Sequence, residues 1–222
     1  MSPRALTRHQ KQAETRSSLL RSAAKLFCRD GLDGASVEEV AQDAGYTKGA
    51  FYSNFNSKEE LFLVMLDERF AEQLDSIDRM LGGPAEPGEQ ARLAAEDFIR
   101  SFRGEEDWKR LYFEFVAYAA RNGEFRQELA TRHRAMRARL TEIIGDWASG
   151  FAVKPTVPIE EIAAMADFMA DGFLLDRMVD PELDEDLYAK MLSIFVRGLQ
   201  AMAVGWEPNA ADFEAAPAAR SA

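Results

Sequence analysis

Apolar residues recur every three or four positions along almost the whole chain, and no segment alternates apolar and polar residues in the manner of a strand. This period restricts the chain to packed amphipathic helices, so we expect an all-α fold. Segments rich in Gly, Pro and charged residues interrupt the pattern and divide it into about nine helices. The expected helices cover approximately residues 15–29, 37–44, 48–54, 58–81, 90–102, 108–121, 124–148, 159–179 and 187–204.

Two capping boxes mark helix starts near the N-terminus. Ser36 is followed three positions later by Glu39, and Ser57 is followed by Glu60. In this arrangement the serine hydroxyl accepts a hydrogen bond from the N3 amide, and the glutamate reaches back to the cap residue. Gly45 separates the second and third predicted helices and permits the positive φ of a tight turn.

The net charge of -11 is unevenly distributed along the 222 residues. Residues 1–29 contain seven Lys and Arg against Glu14 alone, which gives +6, and the remainder of the chain carries -17. This asymmetry is typical of a polyanion-binding end attached to an acidic body. Screening at physiological salt limits repulsion beyond about 8 Å, so the basic end can bind DNA. The alternative is a solvated basic tail without a partner.

The first three predicted helices have the lengths and the glycine turn of a helix-turn-helix motif. In such a motif the N-terminal residues of the third helix enter the major groove. Lys48 can donate to guanine and Ala50 can contact a thymine methyl, while hydroxyls and Lys58 suit phosphate oxygens. A small helical subdomain that does not bind DNA is the alternative. The candidate DNA contacts are Ser36, Thr47, Lys48, Gly49, Ala50, Tyr52, Ser53, Asn54 and Lys58.

Residues 16 to about 66 resemble the N-terminal domain of the TetR family of transcriptional regulators. The runs AAKLF, GASVEEVAQDAG, GYTKGAFYSNF and SKEELF occur in the family's order and without a gap. Tyr46 stands where the family usually has a small aliphatic residue. Ser53 and Asn54 stand where larger or His side chains are frequent, which leaves the operator sequence open.

The resemblance implies a dimeric, nearly all-α repressor that binds a pseudo-palindromic double-stranded DNA operator at the nine candidate positions. It also implies a C-terminal domain that binds a small molecule, with the last two helices forming the homodimer interface. We therefore expect a basic arm and DNA-binding domain at 1–60, an effector-binding and dimerisation domain at 61–205, and a disordered tail at 206–222.

The predicted body is rich in aromatic and Met residues, which suit an adaptable apolar pocket. No buried cationic cluster is evident, so a neutral or aromatic, lipophilic effector is favoured, with Tyr112, Tyr118, His133 or Asp171 as polar contacts. For each apolar residue, ordinary core packing is the alternative. The candidate ligand contacts are Phe98, Phe102, Trp108, Tyr112, Phe115, Met136, Trp147, Met165, Phe168 and Met169.

The last two predicted helices are apolar on more than one face, as expected of helices that serve both a core and a dimer interface. A fully internal helix pair in a monomer is the alternative for this pattern.

Several other functions are disfavoured by the sequence. Cys28 is the single cysteine, so neither a disulfide framework nor a cysteine-based zinc site is expected, and a reducing cytoplasm is the expected compartment. Cys28 is interpreted as a buried apolar residue, with a thiol switch as the alternative. His9 and His133 belong to no catalytic or metal motif, so no enzyme, cofactor or metal is predicted. No membrane-spanning run is present. The competing functions are a small-molecule-binding helical protein without DNA activity, an activator, or a regulator without a ligand.

Overall fold

The computed structural model describes residues 7–103, 106–150 and 156–203. These residues form helices and connecting turns without a strand, which confirms the all-α prediction. The predicted tail at 206–222 and the first six residues of the basic arm lie outside the described residues. The helices are α1 (Arg8–Gly34), α2 (Val37–Asp43), α3 (Lys48–Tyr52), α4 (Lys58–Leu81), α5 (Pro87–Ser101), α6 (Glu106–Arg121), α7 (Gly123–Ser149), α8 (Ile159–Val179) and α9 (Asp186–Ala203).

Helix α1 is longer than the apolar pattern predicted. It begins at Arg8 because Thr7 and Gln10 form a capping box that the sequence interpretation overlooked. At its other end it continues to Gly34 across a kink at Gly31, where φ is 74° and ψ is 178°. A side chain rarely adopts this backbone conformation, so glycine is required at the kink.

Two further helix boundaries differ from the prediction for local reasons. Helix α5 begins at Pro87, because proline fixes φ at a helical value and needs no hydrogen-bond acceptor in the first turn. Helix α3 ends at Tyr52, and Ser53 and Asn54 continue as a turn in which the Asn54 amide donates to the Phe51 carbonyl.

The N-terminal unit, α1–α3, packs on the beginning of α4 and on α6 through one continuous apolar cluster. Leu19, Phe27, Phe51 and Phe62 are among its fully buried members. We call α4–α9 the body. Two smaller clusters connect α4, α5, α7, α8 and α9, with α5 running beside α9 and α7 beside α8. Helix α4 crosses the predicted domain boundary at residue 60, so the division at 1–60 and 61–205 stays a prediction.

Candidate nucleic-acid interface and internal cavity

Helix α3 is held in place by its own cap and by two buried phenylalanines. The Thr47 hydroxyl accepts a hydrogen bond from the Ala50 amide at 3.2 Å, and Gly45 makes the preceding turn with φ of 79°. Phe51 and Phe55 point into the core and their rings lie 5.7 Å apart. The opposite side of α3 is consequently presented to solvent.

The predicted DNA-contacting residues differ in how free their side chains are. Lys48, Gly49 and Tyr52 are exposed on α3, and any Cβ at Gly49 would meet only the Thr47 hydroxyl, at 3.7 Å. Ala50 is half-buried beside them. A small, open surface of this kind permits close approach of a helix to base edges.

Four of the other candidates already make hydrogen bonds within the protein. The hydroxyls of Ser36 and Thr47 cap α2 and α3, the Ser53 hydroxyl donates to the Gly49 carbonyl at 2.9 Å, and the Asn54 side-chain amide donates to the Ala50 carbonyl at 2.8 Å. Each of these four side chains keeps unused hydrogen-bonding capacity. Their roles as DNA contacts stay predictions.

Lys58, the ninth candidate, has its ammonium turned toward the chain. Its Nζ donates to the Leu32 carbonyl at 2.5 Å and lies 3.5 Å from the Ala35 carbonyl, in the connection between α1 and α2. A phosphate contact by Lys58 would add to this role, because an ammonium has three donors.

The charges around α3 include one residue that the sequence interpretation did not single out. Arg16 donates from Nη1 to the Asn54 carbonyl at 3.0 Å and lies over the Phe55 ring at 4.3 Å. The sequence shows that Arg16 belongs to the basic first helix. It does not show the contact with Asn54, because the two residues are 38 apart in sequence. On the other side, Lys48 faces Glu38 at 3.4 Å in an exposed ion pair.

The connection between the N-terminal unit and the body is made by α6. The Leu32 amide, next to the Gly31 kink, donates to the Glu114 carboxylate at 2.8 Å, and Arg110 donates to the Cys28 carbonyl at 2.6 Å. Phe115 stacks on Phe62 of α4 in the core between them. One face of α6 is therefore fixed to the end of α1.

The body encloses a cavity of about 150 Å³ that is lined by residues of α4 to α9. Most of its wall is apolar, as is usual for small-molecule sites. The six predicted ligand contacts that line it are Phe98, Phe102, Trp108, Tyr112, Met136 and Trp147. Trp108 and Tyr112 belong to α6, on the face opposite Arg110 and Glu114. Ligand binding by these residues stays a prediction.

Four predicted ligand contacts do not line this cavity, and their role in ligand binding stays a prediction. Phe115 is fully buried in the first core cluster, because α6 turns that face toward α4 and the N-terminal unit. Met169 packs in the third cluster with α5 and α9. Met165 and Phe168 point outward from α8, with 42% and 63% of their surface exposed. Helical periodicity cannot tell these faces apart.

One part of the cavity wall is polar. The Tyr112 hydroxyl lies 3.3 Å from His133 Nε2, and Arg137 donates to Asp167 at 3.2 Å. Asp171 lies one turn beyond Asp167 on α8 and also lines the cavity. Tyr112, His133 and Asp171 were named from the sequence as polar contacts. Tyr118, the fourth, lies outside the lining and its hydroxyl accepts from Asn122 at 3.0 Å.

Burial shifts the pKa values of these groups. It raises the pKa of Asp171 to about 6, with a further contribution from the Asp167 charge. Burial also raises the pKa of Asp167 against the opposing effect of Arg137, and it lowers the pKa of His133. His133 is accordingly neutral at neutral pH, and its ring is able to accept a hydrogen bond.

Helices α8 and α9 present an uncovered apolar surface on the outside of the chain. Its α8 members recur every three or four residues, and Val179 and Ile194 have 81% and 70% of their surface exposed. We call it the α8–α9 stripe, and its residues are Met165, Phe168, Gly172, Leu175, Val179, Leu187 and Ile194.

The described ranges contain neither a candidate metal site nor a helix that could span a membrane. No group of three or more His, Cys, Asp or Glu side chains that could hold a metal ion occurs there. Among the same residues, no helix has the length and hydropathy needed to cross a membrane.

Comparison with known families accounts for most of the chain. Residues 19–65 match the family described as bacterial regulatory proteins, tetR family, and residues 87–201 match the family described as BetI-type transcriptional repressor, C-terminal. A curated relative, the HTH-type transcriptional repressor AcnR of Corynebacterium efficiens, is 25% identical over 166 residues, covering 74% of this chain and 82% of that protein.

Solved structures share the architecture at lower identity. A protein assigned to the TetR family from Mesorhizobium loti superposes with a TM-score of 0.70 at 19% identity, covering 89% of this chain and 98% of its own. The regulator FadR of Bacillus subtilis, solved in complex with stearoyl-CoA, has a TM-score of 0.65 at 16% identity, covering 81% of this chain and 96% of its own.

Proposed function

Because the chain belongs to the TetR family of transcriptional regulators, which are DNA-binding proteins and not enzymes, we propose that it is a homodimeric repressor released from its operator by a small lipophilic effector. The observation that carries this proposal is the double role of α6. Trp108 and Tyr112 line the cavity from one face of this helix, while Arg110 and Glu114 bind the end of α1 from the other. A bacterial operator lies in the cytoplasm, which is the proposed compartment.

The proposed DNA surface is the exposed side of α3 with the helix starts around it. Lys48, Gly49 and Ala50 are proposed to meet base edges, and Tyr52 is proposed to meet phosphate, in agreement with its 52% exposure. Ser36, Thr47, Ser53, Asn54 and Lys58 are proposed to position the unit. Tyr52→Phe should weaken binding to all sequences, whereas Lys48→Ala should change the preference among operators.

The α8–α9 stripe supports the proposed dimer. Exposed apolar side chains of this kind are stabilised by burial, and a two-fold axis would place the stripe against its own copy. Each helix-turn-helix would then read one half of a pseudo-palindrome, with half-sites about 34–36 Å apart or a related span.

The dimer proposal is tested by charge substitution in the stripe. Phe168→Glu is expected to shift the protein from dimer to monomer in analytical ultracentrifugation, because a carboxylate would have to be buried against the partner copy. Val116→Glu on α6 is the matched control, since Val116 is also exposed but lies outside the stripe. A dimer that survives Phe168→Glu unchanged contradicts the proposed interface.

Release from DNA is proposed to follow from differential binding to two arrangements of α6. An effector that displaces Trp108 or Tyr112 would shift the hydrogen bonds at Leu32 and Cys28, and so the orientation of the N-terminal unit. Allostery of this kind requires that the effector prefer one of the two states. FadR of Bacillus subtilis, which shares the fold, was solved in complex with stearoyl-CoA, and this supports an effector that has an apolar part.

The central experiment measures binding to the DNA that flanks the protein's own coding region, with and without a panel of lipophilic compounds. A specific complex that one class of compound dissociates would support the proposal. Failure to bind any DNA specifically, including after selection from random sequences, would favour the competing function of a small-molecule-binding helical protein. A reporter assay in cells distinguishes a repressor from an activator.

The coupling itself is tested at Glu114. Glu114→Ala should retain DNA binding but lose most of the response to the effector, because the α6 contact to Leu32 is removed. Glu124→Ala, an exposed carboxylate at the start of α7, is the control. An unchanged effector response in Glu114→Ala would show that the signal does not pass through this contact.

A further inference from the structure

The polar part of the cavity wall combines groups from three helices. We call it the acid-lined wall: Asp167 and Asp171 of α8, Tyr112 of α6 and His133 of α7. The rest of the cavity wall is mostly apolar. Water therefore solvates the charged groups of the acid-lined wall less well than it would on the protein surface. A ligand that fills the cavity must therefore meet these groups.

The two carboxylates of the acid-lined wall differ in their partners. Asp167 is buried and is paired with Arg137 at 3.2 Å. Asp171 has no Lys, Arg or His nitrogen within 4.0 Å in the part of the chain that the structure describes. A carboxylate held away from water without a cation is unfavourable, which is the reason that the pKa of Asp171 rises to about 6. Near neutral pH, Asp171 is therefore the carboxylate of the wall that no ion pair among the described residues balances, and its own hydrogen bond is to the Tyr112 side chain.

Two basic side chains also line the cavity, and both are already bound elsewhere. Lys109 donates to Glu106 at 2.7 Å. Arg69 donates to the Ser101 carbonyl at 3.0 Å and lies 3.8 Å from Glu72. These pairings leave Asp171 as the charge that a ligand would have to balance.

The hydrogen-bonding character of the acid-lined wall is that of an acceptor. The carboxylate oxygens accept, the neutral His133 ring offers a nitrogen lone pair or a single N–H, and the Tyr112 hydroxyl can accept from a ligand while it donates to a neighbour. A group that carries several N–H donors and a positive charge satisfies all of these requirements. Charge-assisted hydrogen bonds of this type are about twice as strong as neutral ones.

We propose that the effector is a lipophilic amine whose protonated nitrogen donates hydrogen bonds to Asp171 and its neighbours Tyr112 and His133, while its apolar body lies among Phe98, Trp108 and Met136. This inference rests on the proposed function and specifies its ligand class. An acyl carboxylate would be repelled by the Asp171 charge. A quaternary ammonium would match the charge but has no N–H to donate.

Four probes with the same eight-carbon chain separate these chemistries: octylamine, octanol, octanoate and octyltrimethylammonium. Binding to the full-length protein is measured by isothermal titration calorimetry at about pH 7.5, where Asp171 is ionised. Octylamine is expected to bind about tenfold or more tightly than octanol, because one charge-assisted hydrogen bond contributes that difference. Octanoate is expected to bind most weakly, and octyltrimethylammonium less tightly than octylamine.

Asp171→Asn tests the residue directly, since it removes the charge and keeps the size. It should reduce octylamine affinity about tenfold or more and leave octanol affinity within about twofold. Octanol binding also reports that the variant is folded. Glu160→Gln is the matched control, because Glu160 lies on the same helix but is exposed and outside both the cavity lining and the α8–α9 stripe. Equal octylamine affinity in the wild type and Asp171→Asn would overturn the assignment.

The pH dependence gives an independent readout. Octylamine binding should strengthen between about pH 5 and pH 7.5 as Asp171 loses its proton, whereas octanol binding should change little. The groups that face Asp171 are Tyr112 from α6, His133 and Arg137 from α7, Asp167 on α8 and Tyr188 from α9. Of these groups, His133 gains a positive charge only at low pH. That charge would repel the amine, so it too would make amine binding weaker at low pH than at pH 7.5.

The outcomes separate the two proposals. Octanol, octanoate or octyltrimethylammonium binding as tightly as octylamine contradicts the amine assignment alone, provided that the bound probe dissociates operator DNA. Failure of all four probes to bind contradicts the amine assignment, whereas the proposed function is contradicted only if the protein binds no DNA specifically or no compound of the panel releases it.

Discussion

In the N-terminal unit, Phe51 and Phe55 are enclosed on all sides, whereas in the body the similar ring of Phe98 borders an open cavity. Both regions are built from amphipathic helices with ordinary caps. They differ in how completely the apolar side chains fill the space between helices. The filled core fixes the side of α3 that faces it, whereas the unfilled interior is the space in which we propose that an effector binds.

The largest expected effect tests this difference in packing. Phe51→Ala should lower the free energy of unfolding by about 3–5 kcal/mol, because it opens a void in a filled core. Phe98→Ala should cost about half as much, since it enlarges a cavity that already exists. Chemical denaturation of both variants at one protein concentration measures the two values, and equal losses would contradict the contrast between a filled and an unfilled interior.

The next effect concerns Gly31 and Gly45, the two glycines with positive φ in the described part of the chain. Gly31→Ala should cost about 3 kcal/mol, because its backbone conformation is strained for any side chain and a Cβ would lie 2.9 Å from the Glu114 carboxylate. Gly45→Ala should cost about 1 kcal/mol, since nothing lies within 4 Å of its added Cβ. Thermal unfolding of the two variants compares the kink near the end of α1 with the turn between α2 and α3. A larger loss of stability in Gly45→Ala than in Gly31→Ala would contradict the expected order.

Asp171→Asn is expected to stabilise the body by about 1–3 kcal/mol near pH 7.5. The folded state raises the pKa of Asp171 to about 6, so it binds the proton of this carboxyl more tightly than the unfolded state does. The protonated side chain therefore contributes stability that is fully present below about pH 4 and is lost as the pH rises through about 6. The difference between variant and wild type should therefore vanish in acid. Denaturation curves at several pH values measure this, and a difference independent of pH would contradict it.

The smallest effect lies at the exposed ion pair between Lys48 and Glu38. Glu38→Gln should change stability by less than about 0.5 kcal/mol, since solvent screens both charges. It should strengthen DNA binding modestly, because Lys48 no longer has a competing carboxylate. Fluorescence anisotropy with operator DNA measures this change, and weaker binding by Glu38→Gln would argue against Lys48 as a DNA contact.

The helix boundaries show where sequence interpretation succeeds. Ser36, Thr47 and Ser57 each accept a hydrogen bond from an amide three residues later, and Gly45 has the expected positive φ. The capping box predicted at Ser57 forms only in its serine half, because the Glu60 carboxylate accepts from Asn56 instead of from the Ser57 amide. Interactions between residues three or four apart depend on the local sequence, so they can be predicted from it. The start of α1 differed from the prediction because the capping box of Thr7 and Gln10 was not recognised in the sequence.

The cavity shows what the sequence pattern could not resolve. Trp108 and Phe115 lie on the same predicted helix with the same apolar character, yet the first lines the cavity and the second fills the core. The sequence also did not show that Phe168 is exposed. On a helix that is apolar on several faces, an aromatic residue that points outward has the same pattern as one that points inward.

The sequence by itself determined the helices, their caps and the helix-turn-helix unit, because each depends on neighbours within one or two turns. The tertiary structure alone decided which aromatic residues border the cavity, that Asp171 lacks a cation among the described residues, and that Glu114 binds the Leu32 amide 82 residues away. These outcomes depend on how separate helices pack, and packing sums small preferences over the whole chain that no local pattern encodes.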